Sequence, residues 1–172
     1  MWITFFGVVC IDISTGLIIG IVSTFILLLW RISRPHIAVI GLIEGTQHFR
    51  NIQRHHVLTS SKLLSMRIDE NLNFLNAHIF KGFLINAVSQ HIDLEHVVIN
   101  CSSISSIDLS AVEMLEDVNA ELNKLNIKLH LSEIKGPVMD KLQHSKLLKH
   151  LSGKIYLTHF QAMQQLSPEV FQ

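Results

Sequence analysis

The chain has 172 residues, with 14 basic and 14 acidic side chains and a formal net charge of zero. Without a basic excess, a nucleic-acid surface is not expected, and beside a membrane segment there is room for one ordinary domain of roughly 100–140 residues. Apolar residues make up 48% of the chain and its mean hydropathy is +0.36, an excess concentrated at the N-terminus. The two cysteines, Cys10 and Cys101, are far apart; one lies in the apolar segment and the other ends a predicted strand. A disulfide framework is therefore not expected and a reducing compartment is.

From Ile3 to Trp30 the one formally charged residue is Asp12. A helix of about 20 apolar residues crosses a bilayer core, so this run is long enough. A signal peptide would place basic residues before a shorter apolar core. Here Arg31 and Arg34 follow the run, so residues 1–34 read as a transmembrane segment with a cytoplasmic C-terminal side. Asp12 leaves two arrangements open: one long tilted helix, or a short helix that breaks near Asp12 and a spanning helix over Ile13–Trp30. Gly16 and Gly20 are spaced as GxxxG, which either offers another helix a close-packing face or is ordinary membrane-helix composition. Trp2 and Trp30 suit the two interfaces.

Pro35 stops the helix, because it cannot continue the hydrogen-bond ladder. Residues 35–61, with Gly41 and Gly45 but no Ser/Gly tract, read as an ordered linker. The domain then runs over 62–172. Leu63, Leu64, Met66 and Ile68 predict a strand, and Asn71–Phe74 a second short one. Leu75, Ile79, Phe80, Phe83, Leu84, Ala87 and Val88 recur at helical spacing. Val97, Val98 and Ile99 form the continuous run of a strand buried on both faces. A polar loop, Ser102–Ser106, leads to a helix with the stripe Ala111, Val112, Leu115, Val118, Leu122 and Leu125. Ile127, Leu129 and Leu131 alternate as another strand. Gly136-Pro137 opens a short helix, Ile155–Leu157 is a last strand, and Thr158 with Gln161 has capping-box spacing before a terminal helix. Strands alternating with helices predict an α/β sheet with parallel pairs. Each helix carries one apolar stripe, which predicts helices on one face of the sheet only.

These residues resemble a known family. Asp12-Ile13-Ser14-Thr15-Gly16-Leu17-Ile18-Ile19-Gly20 and Arg31-Ile32-Ser33-Arg34-Pro35 look like the last transmembrane helices of the SulP anion permeases. Gly41 to Arg50 resembles that family's linker. Lys62 to Phe171 resembles its STAS domain, shared with bacterial anti-anti-sigma factors. The most specific elements are Val97-Val98-Ile99-Asn100, Ile107-Asp108-Leu109-Ser110-Ala111 and Lys135-Gly136-Pro137-Val138. The resemblance implies a STAS-like β-sheet flanked by helices, preceded by the membrane segment, on the cytoplasmic side of a transporter. It implies the membrane, a transporter membrane core or a homo-oligomer, and a regulatory protein as partners. Family members carry about a dozen or more membrane segments, so one or two helices are not expected to transport alone. A stand-alone membrane-anchored STAS protein that regulates a partner is the alternative.

The resemblance makes Ser110 a candidate phosphoacceptor, since the matching serine of anti-anti-sigma factors is phosphorylated and the added charge releases the partner. The plainer reading is Asp108 as the helix N-cap with Ser110 in the first turn. Asp108 and Leu109 are candidate partner-contact positions, and Leu109 stands where a serine is often found. Of the eleven histidines, His55-His56 are adjacent, and His144 and His150 are too far apart for the i, i+4 pairing of a zinc site. They read as scattered surface residues, and no metal or cofactor is expected. No phosphate-binding glycine loop or nucleophile elbow occurs, so an enzyme is not expected.

Overall fold

A computed structural model describes residues 12–171; the expectations for Trp2, Cys10 and the rest of residues 1–11 lie outside it. The chain divides into two units at Arg34/Pro35.

The first unit holds helix α1, Ile13–Ile32. It is long and apolar enough to cross a membrane. Asp12 is its N-cap and accepts the Ser14 N–H at 3.1 Å. Of the two arrangements open in the sequence, the helix therefore starts at Asp12 rather than running through it. At the other end Ser33 Oγ donates to Leu29 O at 2.8 Å, and the Arg34 guanidinium lies 4.5 Å from the Trp30 ring centre. Gly16 and Gly20 are the buried residues of the helix.

The second unit is an α/β domain. Its strands are β1 (Ile37–Leu42), β2 (Phe49–Asn51), β3 (Leu63–Ile68), β4 (His96–Asn100), β5 (Lys128–Ser132) and β6 (Ile155–Tyr156). Its helices are α2 (Ala77–Ser89), α3 (Leu109–Lys124), α4 (Gly136–Gln143), α5 (Leu147–His150) and α6 (His159–Leu166), followed by a 3-10 turn at Pro168–Phe171. The sheet order is β2-β1-β3-β4-β5-β6. Strands β3 to β6 are parallel, and β1 is antiparallel to both of its neighbours.

The stretch read as a linker thus supplies two strands. Ile37, Ala38 and Val39 pair with Ile68, Arg67 and Met66, and Ala38, Ile40 and Leu42 are buried. Gly41 lets the chain at Val57–Leu58 lie against β1, since a Cβ there would sit 2.6 Å from Leu58 O. The first strand is tied down where it begins. Asp69 donates its backbone N–H to His36 O at 3.0 Å, and its carboxylate meets His36 Nδ1 at 2.9 Å and Arg67 Nε at 2.6 Å. Burial acts to raise the Asp69 carboxyl, but the hydrogen bonds from Arg67 and His36 outweigh it and hold the group below its ordinary pKa.

Both faces of the sheet are covered, which corrects the one-face expectation. Leu64, Met66, Val97, Ile99, Leu129 and Leu131 pack against Phe80 and Leu84 of α2, Leu115, Val118 and Leu122 of α3, and Val138 and Leu142 of α4. Alternate residues Ala38, Ile40, Leu42, Leu63, Val98 and Tyr156 form a second cluster with Ala162 and Met163 of α6. The physical reason is the apolar run of β4: Val97, Val98 and Ile99 point to opposite faces in turn, and all are fully buried, so each face needs a cover.

Asn71–Phe74 is a turn rather than a strand, holding only a single bridge from Leu72 to Ile107. Its asparagines bond backbone instead of leaving it free for a ladder. Asn76 Oδ1 accepts the Asn73 N–H at 3.0 Å, and Asn73 Oδ1 accepts the Leu75 N–H at 3.0 Å.

Candidate functional site

The candidate residues lie where β4 gives way to α3. Asn100 ends the strand and its Oδ1 accepts the Ser102 N–H at 2.9 Å. Asn71 Oδ1 reaches across to accept the N–H groups of Ser105 and Ser106, at 2.7 and 2.9 Å. Lys135 Nζ donates to Ser105 Oγ at 2.9 Å and Lys141 Nζ to Ile107 O at 2.7 Å. The polar loop is thus held from three elements, and the N–H groups of Ser102, Ser105 and Ser106 find side-chain acceptors in place of a ladder.

Asp108 is the N-cap of α3, with extended backbone and Oδ1 accepting the Ala111 N–H at 2.9 Å. Its second oxygen accepts the Phe74 N–H at 2.8 Å. Both carboxylate oxygens are therefore engaged by backbone. Leu109 is 72% exposed and Ser110, in the first turn of α3, is exposed. A phosphate carried there would meet the positive end of the helix dipole.

Beside this turn lies a groove of about 530 Å³ lined by Ile107, Leu109, Val112, Lys141, His144 and Asp140 among others. Phe74, 66% exposed, adds a second apolar group near Asp108. The structure brings Asp108, Leu109 and Ser110 together at one edge of the domain, whereas Gly16 and Gly20 belong to the separate helical unit. The sequence reading missed Phe74 and the groove. The triplet Asn71, Asn73, Asn76 marked the turn that presents Phe74, but the groove needs α4 beside the start of α3, where Lys141 meets Ile107, 34 residues away.

The histidines need a correction. His130 and His159 are buried, at 2% and 0% exposure, not on the surface. His130 Nδ1 accepts the Lys154 N–H at 2.9 Å, so Nε2 carries the proton it points at His96 Nδ1, 3.3 Å away. His159 Nδ1 pairs with Ser132 Oγ at 2.8 Å, and its ring meets the Phe49 ring edge-on at 4.5 Å. Burial pushes both imidazoles down to about 4. Cys101 is buried and its thiol is pushed up to about 12 by burial, which leaves it unreactive. No group of three or more His, Cys, Asp or Glu side chains that could hold a metal ion occurs among the described residues.

The STAS domain profile matches residues 51–162, and the chain belongs to the STAS domain family. The curated relatives it matches include plant sulfate transporters. Sulfate transporter 1.3 of Arabidopsis thaliana is 29% identical over an alignment of 178 positions that covers 96% of this chain and 27% of that protein. The chain thus spans about a quarter of the length of the curated relatives it matches. Among solved structures, the murine Solute Carrier 26 family member A9 anion transporter in its inward-facing state superposes with a TM-score of 0.82. It is 14% identical, and the match covers 94% of this chain and 27% of that one. The anti-sigma factor antagonist SpoIIAA in its unphosphorylated form matches with a TM-score of 0.55 at 16% identity, over 64% of this chain and 93% of that one. At these identities the two structures speak to the fold alone.

Proposed function

We propose that this chain is the C-terminal membrane-anchor and regulatory STAS module of a SulP-type transporter of sulfate or a related anion. The observation that carries this reading is the reach of the likeness. An alignment over 96% of the chain is too long to leave out helix α1, so anchor and domain are matched together. In this reading the domain is cytoplasmic, because Arg31 and Arg34 end the helix. It acts by docking and assembly, not as an enzyme, and its partner is a transporter membrane core or a second copy.

The polypeptide by itself should not transport. An anion crossing hydrocarbon needs a polar path lined on all sides, which one or two helices do not enclose. Sulfate uptake by permease-deficient cells tests this: the chain alone should give none, and co-expression with a membrane core should restore it. Anion flux from the purified chain in liposomes would overturn the reading.

A second reading, a stand-alone anchored STAS protein switched by phosphorylation, is favoured by the exposure of Ser110 at the helix start beside an apolar groove. A dianion there would repel or release whatever sits over Leu109. Mass spectrometry of the chain from its native membranes decides it: phosphate on Ser110 supports the switch, and an unmodified Ser110 under all growth conditions argues against it.

A further inference from the structure

The zero net charge hides a segregation. Residues 124–154 hold seven lysines against Glu133 and Asp140, a net of +5, while the rest of the chain holds seven basic and twelve acidic residues, a net of −5. Five of those lysines, Lys135, Lys141, Lys146, Lys149 and Lys154, fall between β5 and β6, in the stretch that holds α4 and α5, and all five are exposed. Among the described residues none of them forms an ion pair; the pairs of the domain lie at His36, Arg67, Lys62 and Lys81.

The hydrogen bonds of Lys135 and Lys141 go to a hydroxyl and a carbonyl, which leave their charges uncancelled. The acidic residues of the adjoining helix α3 do little to offset them. Glu116 accepts the backbone N–H of Lys146 and keeps its charge there, but Asp117 and Glu121 face Lys81 of α2, and Glu113 is exposed. Asp140 is the one carboxylate on α4 itself. Lys135 and Lys141 help to hold the loop, but like charges gathered in this way repel one another, at a cost to the fold.

What lies within reach of this flank follows from the chain. Helix α1 ends at Ile32 and β1 begins at Ile37, so four residues join them, a reach of at most about 14 Å. A domain on so short a tether stays close to the leaflet its anchor leaves. A cluster of four to eight lysines held near a cytoplasmic leaflet is drawn to anionic headgroups. We propose that the lysines of α4 and α5 hold the domain against the anionic phospholipid headgroups of that leaflet. This rests on the membrane anchoring proposed above.

The test uses the full chain in nanodiscs of phosphatidylcholine alone or with phosphatidylglycerol, acylating its lysines and measuring each rate by mass spectrometry. The five flank lysines should react roughly fivefold more slowly in the anionic discs, the factor expected for one lysine near such a surface. Lys62 and Lys81 should be unchanged. The difference should vanish at about 0.5 M salt, where screening is nearly complete. In the variant Lys146→Glu/Lys149→Glu the remaining three should lose their protection. Equal rates in the two lipids overturn the proposal, and slowing that requires an added soluble protein overturns it in favour of an acidic protein partner. A chain that does not co-purify with the discs overturns the anchoring and this inference together, whereas a chain that co-purifies with unprotected lysines overturns this inference alone.

Discussion

The carboxylate of Asp108 joins the start of α3 to the backbone of Phe74. One oxygen caps the helix through Ala111 and the other holds the turn that follows β3. A single side chain thus fixes two segments separated by 34 residues. Asp108→Ala should cost about 1–3 kcal/mol, combining a lost cap with an orphaned N–H. Asp108→Asn keeps an acceptor for the cap and should cost less. Urea denaturation of both variants checks the order, and equal stabilities would contradict the bridging role.

The domain boundary is a second test. A fragment of residues 35–172 should be soluble and fold, whereas one starting at His55 loses β1 and β2. That deletion uncovers the edge of β3 and the buried neighbours Leu63 and Val98, and an open edge invites aggregation. Within the longer fragment, Val98→Asp should cost several kcal/mol, because Val98 is fully buried in the interior of the sheet. Circular dichroism and gel filtration measure both effects.

Gly153 sits against the ring of His130. A Cβ added there would lie 2.6 Å from Nδ1 and would press on the Leu129 carbonyl as well. Gly153→Ala should destabilise the domain by about 1–3 kcal/mol and loosen the bond from the Lys154 N–H to His130. Faster hydrogen exchange at the Lys154 amide would report it directly.

Stability should fall on acidification. His130 and His159 titrate at about 4 when folded, against about 6.5 when unfolded. Between those values the unfolded chain binds protons that the folded one excludes. The melting temperature should therefore be level above about pH 6.5 and decline as the pH falls toward 4. His159→Gln should make the decline shallower, and a Tm that is the same at pH 7 and pH 5 would rule the account out.

Replacing both Gly16 and Gly20 with Leu should weaken assembly with a membrane core, since bulky side chains keep a second helix at a distance. Co-purification from detergent measures it. Unchanged recovery of the complex would place the contact elsewhere.

Much of the architecture was legible because its signals are local. The apolar length of α1, the alternation of Leu129 and Leu131, the cap at Asp108 and the Gly136-Pro137 start of α4 each depend on neighbours a few residues away. The capping pair is an example: Thr158 Oγ1 accepts the Gln161 N–H at 3.2 Å, three residues on, as the spacing foretold. The helix start at Asp12 was one of two arrangements that the sequence left open, because a lone carboxylate fits both until the helix geometry is known.

By itself the sequence determined the class of fold, the apolar helix α1 and most of the helices and parallel strands, since hydrophobic period and helix-end chemistry are written in short windows. Tertiary structure alone decided three things. It made Ile37–Leu42 a strand, because its partners, Ile68 and Met66, lie far along the chain, and Phe49–Asn51 then pairs with that strand. It placed α6 on the face opposite α2 and α3, because a stripe tells that a helix packs but not on which side of the sheet. It buried His130 and His159, polar residues whose burial depends on a hydrogen-bond partner brought from elsewhere, the Lys154 amide and the Ser132 hydroxyl. Each depends on contacts between distant residues, and no local pattern encodes them.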